Sequence, residues 1–449
     1  MGGSTLDMTK GSPWKLITQF AVPVFLSQVF QQLYNTADAL IVGRFLGDEA
    51  LAAVSASGPL IFLLISFFTG LSMGAGVTIS RYFGAGDYGH VSKAIHTDVM
   101  LGLLSGIVLT VVGVLLTPTF LRWMGTAPEV LPDAIAYFRY YFIGVLAVVM
   151  YNMCKSIMNA LGDSKRPLYY LIISSLTNIV LDLLFIRTFG MGVRGAAIAT
   201  VIAQGISVVL CLIYIVTKAK ILLPEKRHFA LDRGLYADLL AQGFSMGFMS
   251  SIIYVGSIVL QPGINSLGYE TIAGHTAARK LFSFSMMPLS SMAQAVNTYV
   301  AQNRGADNWE RVRKGIRYAY IFCFSVTACL IVIVTPLAPT MVHLISGSSD
   351  PTVLGNGARY LRVAIPFFFA LGLVNCSRLA LQALGEKILP LLSSFIELFG
   401  KIIFAMVFIP RYHYSAVIWC EPIIWCFMAA ELVISLYRNP YMRKGKTGN

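Results

Sequence analysis

The sequence predicts an all-α polytopic membrane protein, with twelve transmembrane helices arranged as two pseudo-symmetric six-helix lobes. Three observations predict it. Of 449 residues, 56% are hydrophobic and only 12% are charged, about half the charge of a soluble domain. Apolar runs of about 18 residues or more recur along the chain, each long enough to cross a hydrocarbon core ~30 Å thick. Blocks of sequence also repeat at a nearly constant offset, which divides the runs into two equal sets. The runs are continuous rather than alternating, which argues against a transmembrane β-barrel.

Polar and Gly/Pro breaks delimit the spans in order: 16–43, 52–79, 94–116, 134–160, 168–189 and 193–216, then 236–265, 272–300, 315–342, 358–384, 389–410 and 413–436. Span 1 contains Pro23, which cannot continue the helical hydrogen-bond ladder and predicts a kink. Span 2 carries FFTGLSMGAG at 67–76, whose small residues suit close contact with another helix. The longest spans imply tilt or ends that reach the headgroup zone. The N-terminal MGGSTLDMTKGSPWK lacks a cleavable signal pattern, so span 1 reads as a retained helix.

The loops set the orientation. Lys10, Lys15, Arg81, Lys93, Lys165 and Arg166 lie on one side, followed by the basic linker at 217–235, the cluster Arg304, Arg311, Arg313 and Lys314, then Lys387 and the C-terminal Arg438, Arg443, Lys444 and Lys446. The other side is sparser, holding Arg44, Arg122, Arg187, Arg194 and Arg411. The positive-inside rule makes the first side cytoplasmic. The chain is therefore expected in the cell (inner) membrane, multi-pass, with both termini inside. The formal net charge of +13 belongs to this asymmetry rather than to a nucleic-acid surface. The seven cysteines fall in apolar segments without a CxxC pair, so disulfide and zinc signals are weak. The absence of HExxH, Walker A and GxSxG patterns argues against an enzyme.

RYFGAGDYGHVSKAI at 81–95 aligns without gaps on QNRGADNWERVRKGI at 302–316, and LGDEALAAVSA at 46–56 on LGYETIAGHTA at 267–277, both at an offset of 221. NALGDSKRP at 159–167 aligns on QALGEKILP at 382–390, and YFRYY at 137–141 on YLRVA at 360–364, both at 223. The expected organisation is an N-lobe at 1–216 (spans 1–6), a cytoplasmic linker at 217–235 and a C-lobe at 236–449 (spans 7–12). An even number of spans in each half makes these parallel repeats, a plan suited to a central cavity that opens to either side.

Ionisable groups inside spans are costly and usually paired or functional. The deep ones are Asp38 in span 1, Asp182 in span 5, Glu397 and Lys401 in span 11, and Glu421 in span 12, with Lys155 and Arg378 in spans 4 and 10. Asp98, Arg317 and Glu431 lie near span ends and are read as reaching the headgroups. Glu397 and Lys401 are four residues apart with the acid first, which favours a neutralised pair. Asp38 and Asp182 have no cation one turn away. An unpaired carboxylate in an apolar setting can bind and release a proton or hold a cation. Asp38 lies ~9 Å below the outer end of its span, and Asp182 and Thr200 lie ~10 Å below theirs at 1.5 Å per residue. Asn178 is one turn deeper than Asp182 on the same face. Two carboxylates, an amide and a hydroxyl at similar depth suit H⁺ or a hard ion such as Na⁺. At the repeat offsets Asp38 maps to Val259 or Leu260, Asn178 to Lys401 and Asp182 to Ala405, so this chemistry is expected in the first half only.

Asp38 followed by Gly43, the RYFGAGD and QNRGAD loops, NALGDSKRP and Asn178-x-x-x-Asp182 together resemble the multidrug and toxic compound extrusion (MATE) family over essentially the whole chain. The resemblance implies antiport: a small organic compound, often a lipophilic cation, leaves while H⁺ or Na⁺ enters. In the DinF-like branch the carboxylates of spans 1 and 5 carry the coupling ion, and Asp38, Asn178, Asp182 and Thr200 match that set. H⁺ or Na⁺ at these four residues is then the only cofactor expected, with the bilayer as surroundings and a monomer as the unit. The NorM-like branch expects a glutamate early in span 7, where this chain reads QGFSMGFMSSIIY without an acid. The alternative is a lipid-linked precursor or polysaccharide flippase, which resembles this architecture but typically has fourteen spans and a more cationic cavity.

Overall fold

The computed structural model describes residues 6–47, 58–123, 126, 128–218 and 232–443. The start of the expected span 2 (52–57), most of the 46–56 block and linker residues 219–231 lie outside these. Among the described residues there are twelve long helical segments and no strand. They are α1 Pro13–Leu46, α2 Gly58–Gly84, α3 Tyr88–Trp123, α4 Leu131–Ile143 with Val145–Ala160, α5 Lys165–Thr188 and α6 Gly192–Lys218 in the first half. The second half has α7 Arg233–Asn265, α8 Tyr269–Gly305, α9 Trp309–Ser346, α10 Pro351–Ala383, α11 Ile388–Tyr412 and α12 Tyr414–Arg438.

Ten of these are long and apolar enough to cross a membrane, and α4 makes an eleventh with a 48° bend between its two pieces. The bend falls at Gly144, where a Cβ would collide with the Val201 side chain of α6. The twelfth, α8, has the length but not the composition. Its 37 residues include Glu270, Arg279, Lys280 and Arg304, and His275, Asn297, Gln302 and Asn303 are buried. The buried ones are tolerated because they face protein rather than lipid. Asp98 differs from the expectation of a headgroup position. Helix α3 begins at Tyr88, earlier than the hydropathy indicates, so Asp98 lies almost three turns inside and is only 3% exposed.

The duplication extends to hydrogen bonding. In the first copy the Asp87 N–H donates to the Tyr82 carbonyl at 3.1 Å, and in the second the Asn308 N–H donates to the Asn303 carbonyl at 2.9 Å. NALGDSKRP and QALGEKILP repeat the match. Asp163 N–H donates to Met158 O at 2.9 Å and Glu386 N–H to Leu381 O at 3.0 Å, around Gly162 and Gly385 at φ of 83° and 81°. These are Schellman-type helix ends, which call for glycine at the left-handed position. Asp87 then caps α3, accepting from the His90 N–H at 3.1 Å, and this bond holds its carboxyl below the usual aspartate range. A π-helical turn closes α5 at Leu183–Thr188 and interrupts α11 at Phe404–Phe408, near-equivalent positions of the two repeats.

The chain forms two compact units. One comprises residues 1–7 and 26–247, the other 8–25 and 248–449. The sequence puts the division in the 217–235 linker. The contacts instead put one boundary inside α1, two residues past Pro23, and another inside α7. In the first unit α2 lies against the start of α7 with almost no space between the backbones. A Cβ at Gly70 or Gly74 would fall 2.5 Å from the Met246 or Gln242 carbonyl oxygen, so the small-residue tract of span 2 is a helix-contact surface. Arg81 closes one end of this contact with an ion pair to Asp238 at 2.8 Å. Around Phe138, Phe142, Val193 and Ala197 the same unit builds an apolar core.

Candidate ion-binding site

Asp38 projects from α1, Asn178 and Asp182 from successive turns of α5, and Thr200 from α6. The structure brings all four together in the first unit. Asp182 and Asn178 are fully buried and Thr200 is nearly so, while Asp38 is half-buried. The Asp38 and Asp182 carboxyls lie close enough to act on each other directly. Two ionised carboxylates repel, so a proton or a cation between them favours this arrangement. With the Asn178 amide turned to satisfy both of its ends, its nitrogen donates to Asp182 Oδ2 at 2.9 Å and its oxygen accepts from the Thr200 backbone N–H at 3.2 Å. Thr200 Oγ1 donates to the Ala196 carbonyl at 3.1 Å, so towards its other neighbours it can only accept. One carboxylate oxygen of Asp38 and one of Asp182 are buried without a partner among the described residues.

Local sequence explains the arrangement. Asn178 and Asp182 are four residues apart, hence on one face of α5. The π turn starting at Leu183 follows Asp182 directly, a distortion that often accompanies functional positions. Tyrosines complete the surroundings. Tyr34, one turn before Asp38, has its hydroxyl 3.5 Å from Thr200 Oγ1. Tyr137 lies within electrostatic range of both acids and stacks on Tyr141 at 6.3 Å between ring centres. Neither Tyr34 nor Tyr137 stands out in the sequence as a site residue. The available signals were the i, i+4 spacing of Tyr34 to Asp38 and the YFRYY block. Among the described residues no Lys or Arg pairs with Asp38 or Asp182, and no group of three His, Cys, Asp or Glu gathers anywhere.

The second unit treats its buried acids differently. Lys401 donates to Glu397 at 2.8 Å, as their spacing predicts, but the pair is part of something larger. Lys401 also lies 3.6 Å from Glu421, and Arg279 of α8 donates to Glu421 at 2.6 Å and to the Tyr360 hydroxyl at 2.9 Å. Tyr360 in turn donates to Glu421 at 3.2 Å. Arg378 lies 3.9 Å from Glu397 and donates to Ser393 at 2.9 Å. Glu397 and Glu421 are thus compensated by protein cations. Lys401 occupies the repeat position of Asn178 and Ala405 that of Asp182, while Asp38 falls between Val259 at an offset of 221 and Gln261 at 223. One repeat leaves its carboxylates without a protein cation, and the other supplies an ammonium of its own.

The MatE family model matches residues 23–184 and again 246–407, so its second match begins 223 residues after its first. The chain is 28% identical over 403 residues to the probable multidrug resistance protein YoeA of Bacillus subtilis, covering 88% of this chain and 87% of the relative. A MOP superfamily transporter from Pyrococcus furiosus superposes with a TM-score of 0.89 at 25% identity, over 97% of this chain and 98% of that one. A MATE transporter crystallised with MaL6 gives a TM-score of 0.90, also at 25% identity, over the same 97% and 98%. None of this favours the flippase alternative.

Proposed function

The chain belongs to the MATE family of membrane transporters, and from that premise we propose that it is a cation-coupled antiporter. It exports small organic compounds, chiefly lipophilic cations, by alternating access, with H⁺ or Na⁺ bound between Asp38 and Asp182. One observation carries this reading: a buried and a half-buried carboxyl close together in the first unit, each with an unpartnered oxygen and no protein cation, whereas Glu397 and Glu421 of the second unit each have one. Asn178 holds Asp182 by a hydrogen bond, and the Thr200 and Tyr34 hydroxyls offer further oxygens to a monovalent ion. Coupling follows from linkage, since an ion and a substrate that each favour a different state weaken one another by the same factor, typically about 5–150-fold. The protein works as a monomer in the inner membrane with both termini cytoplasmic, and no nucleic acid is involved.

The test is efflux from proteoliposomes with a pH gradient and a Na⁺ gradient imposed separately. Asp38→Asn and Asp182→Asn should each end gradient-driven efflux while substrate binding persists without its pH or Na⁺ dependence. The amide keeps the shape of the carboxylate but neither titrates nor carries charge. Wild-type efflux in both variants would move the ion site elsewhere. Cysteine labelling should find positions 81–93 and 304–314 reactive only from the cytoplasmic side and position 350 only from outside. Labelling of 304–314 from outside would reverse the orientation.

A further inference from the structure

Beyond the ion site, the second unit has a groove between α11 and α12 of about 760 Å³, within the range of dedicated small-molecule pockets. Phe395, Phe399, Phe404, Phe408 and Tyr412 line one wall, and Trp419 stands on the other. The aromatic spacing is four, then five, then four and four. Five residues of α-helix would turn Phe404 well away from Phe399. All five nevertheless line the same groove, and the π turn at Phe404–Phe408 continues the stripe from Phe404 onward. At Gly400 the two helices nearly touch, a Cβ there falling 2.8 Å from Ile424 Cδ1. Phe399, Tyr412 and Phe427 along the groove are 59%, 61% and 66% exposed. From Leu392 to Tyr412 the wall runs ~30 Å at 1.5 Å per residue, the thickness of a hydrocarbon core.

The groove is apolar along its length and polar at one end. That end is the tight turn joining α11 to α12, which brings it to a membrane surface. There Ser415 lines the groove and accepts a hydrogen bond from exposed Arg359 at 3.2 Å, and Arg411 is exposed beside Tyr412. We propose that this groove is a binding site for an anionic phospholipid, with an acyl chain along the aromatic stripe and the phosphate against Arg359 and Arg411. The two guanidiniums favour phosphate and disfavour a lipophilic cation.

Photoactivatable phosphatidylglycerol, with its reactive group in mid-chain, tests the proposal on the purified full-length protein, with crosslinked peptides mapped by mass spectrometry. Label should concentrate on residues 395–408 and 419–427, and unlabelled phosphatidylglycerol should displace it better than phosphatidylcholine. The double variant Arg359→Gln/Arg411→Gln should lose that preference by about tenfold, the scale of one charge-assisted hydrogen bond, and Arg359→Lys/Arg411→Lys should keep most of it. Ile423→Trp, which fills the groove from its open side, should abolish labelling by either lipid. Label spread evenly over all the spans, or an unchanged preference in the double Gln variant, would overturn the proposal. So would displacement by tetraphenylphosphonium but not by phosphatidylglycerol, which would assign the groove to cationic amphiphiles.

Discussion

Where a buried carboxylate finds its counter-charge separates the two repeats at the level of single residues. Glu397 meets Lys401 and Arg378, and Glu421 meets Arg279 and Lys401. Removing one partner from such a set strands the others in an apolar interior. Glu397→Gln should therefore destabilise the protein by about 3–5 kcal/mol, read as a lower melting temperature in detergent, with gradient coupling retained in the fraction that folds. A Glu397→Gln protein of wild-type stability that no longer couples would place an ion site in the second unit. Asp38, Asn178, Asp182 and Thr200 were legible because acids stand out in apolar runs and because depth can be counted along a helix. Tyr34, Tyr137 and Tyr360 were not, since an aromatic ring in an apolar run looks like packing until the structure sets it beside polar groups such as Thr200 or Glu421. Arg279 was hidden for a different reason. Its partners come from α10 and α12, and no local spacing announces a contact across 142 residues of chain.

Among the helices, hydropathy located nearly all the spans but misjudged their ends. It stops where charge begins, whereas a helix continues until its backbone is capped. Helix α3 therefore starts six residues before the expected 94 and takes Asp98 with it. The small-residue tract of α2 was readable as a contact surface, but its partner was not, because glycine records closeness without naming the neighbour. That partner is the start of α7, so Gly74→Ala should force the backbones apart and destabilise by about 1–3 kcal/mol. Gly205→Ala in α6 is the control. No atom lies within 4 Å of a Cβ built there, so alanine should be neutral or slightly stabilising through helix propensity, by up to about 1 kcal/mol. Thermal unfolding of the two variants side by side decides the matter, and equal melting temperatures would refute the close packing. The π turns at 183–188 and 404–408 had no signature in the pattern, because one extra residue in a continuous apolar run leaves the composition unchanged.

For the whole molecule, the duplication was visible in sequence and its boundaries were not. Residues 8–25 belong to the unit otherwise built from the second repeat, and residues up to 247 belong to the first. Shifted by the repeat offset, 8–25 falls on 231–248, so each repeat lends its opening segment to the other. The arrangement is the single-chain counterpart of a reciprocally exchanged homodimer, in which neither copy completes itself. Synthesis inherits an order from this. The first unit is incomplete until residue 247 has emerged from the ribosome, and the opening half of α1 waits for a partner translated long afterwards. Residues 1–225 and 226–449 made separately should each be degraded, while co-expression should restore a stable complex that exports substrate. A half that accumulates alone as a stable, folded protein would show the exchange to be dispensable. If it is not, residues 8–25 are made long before the residues that bury them.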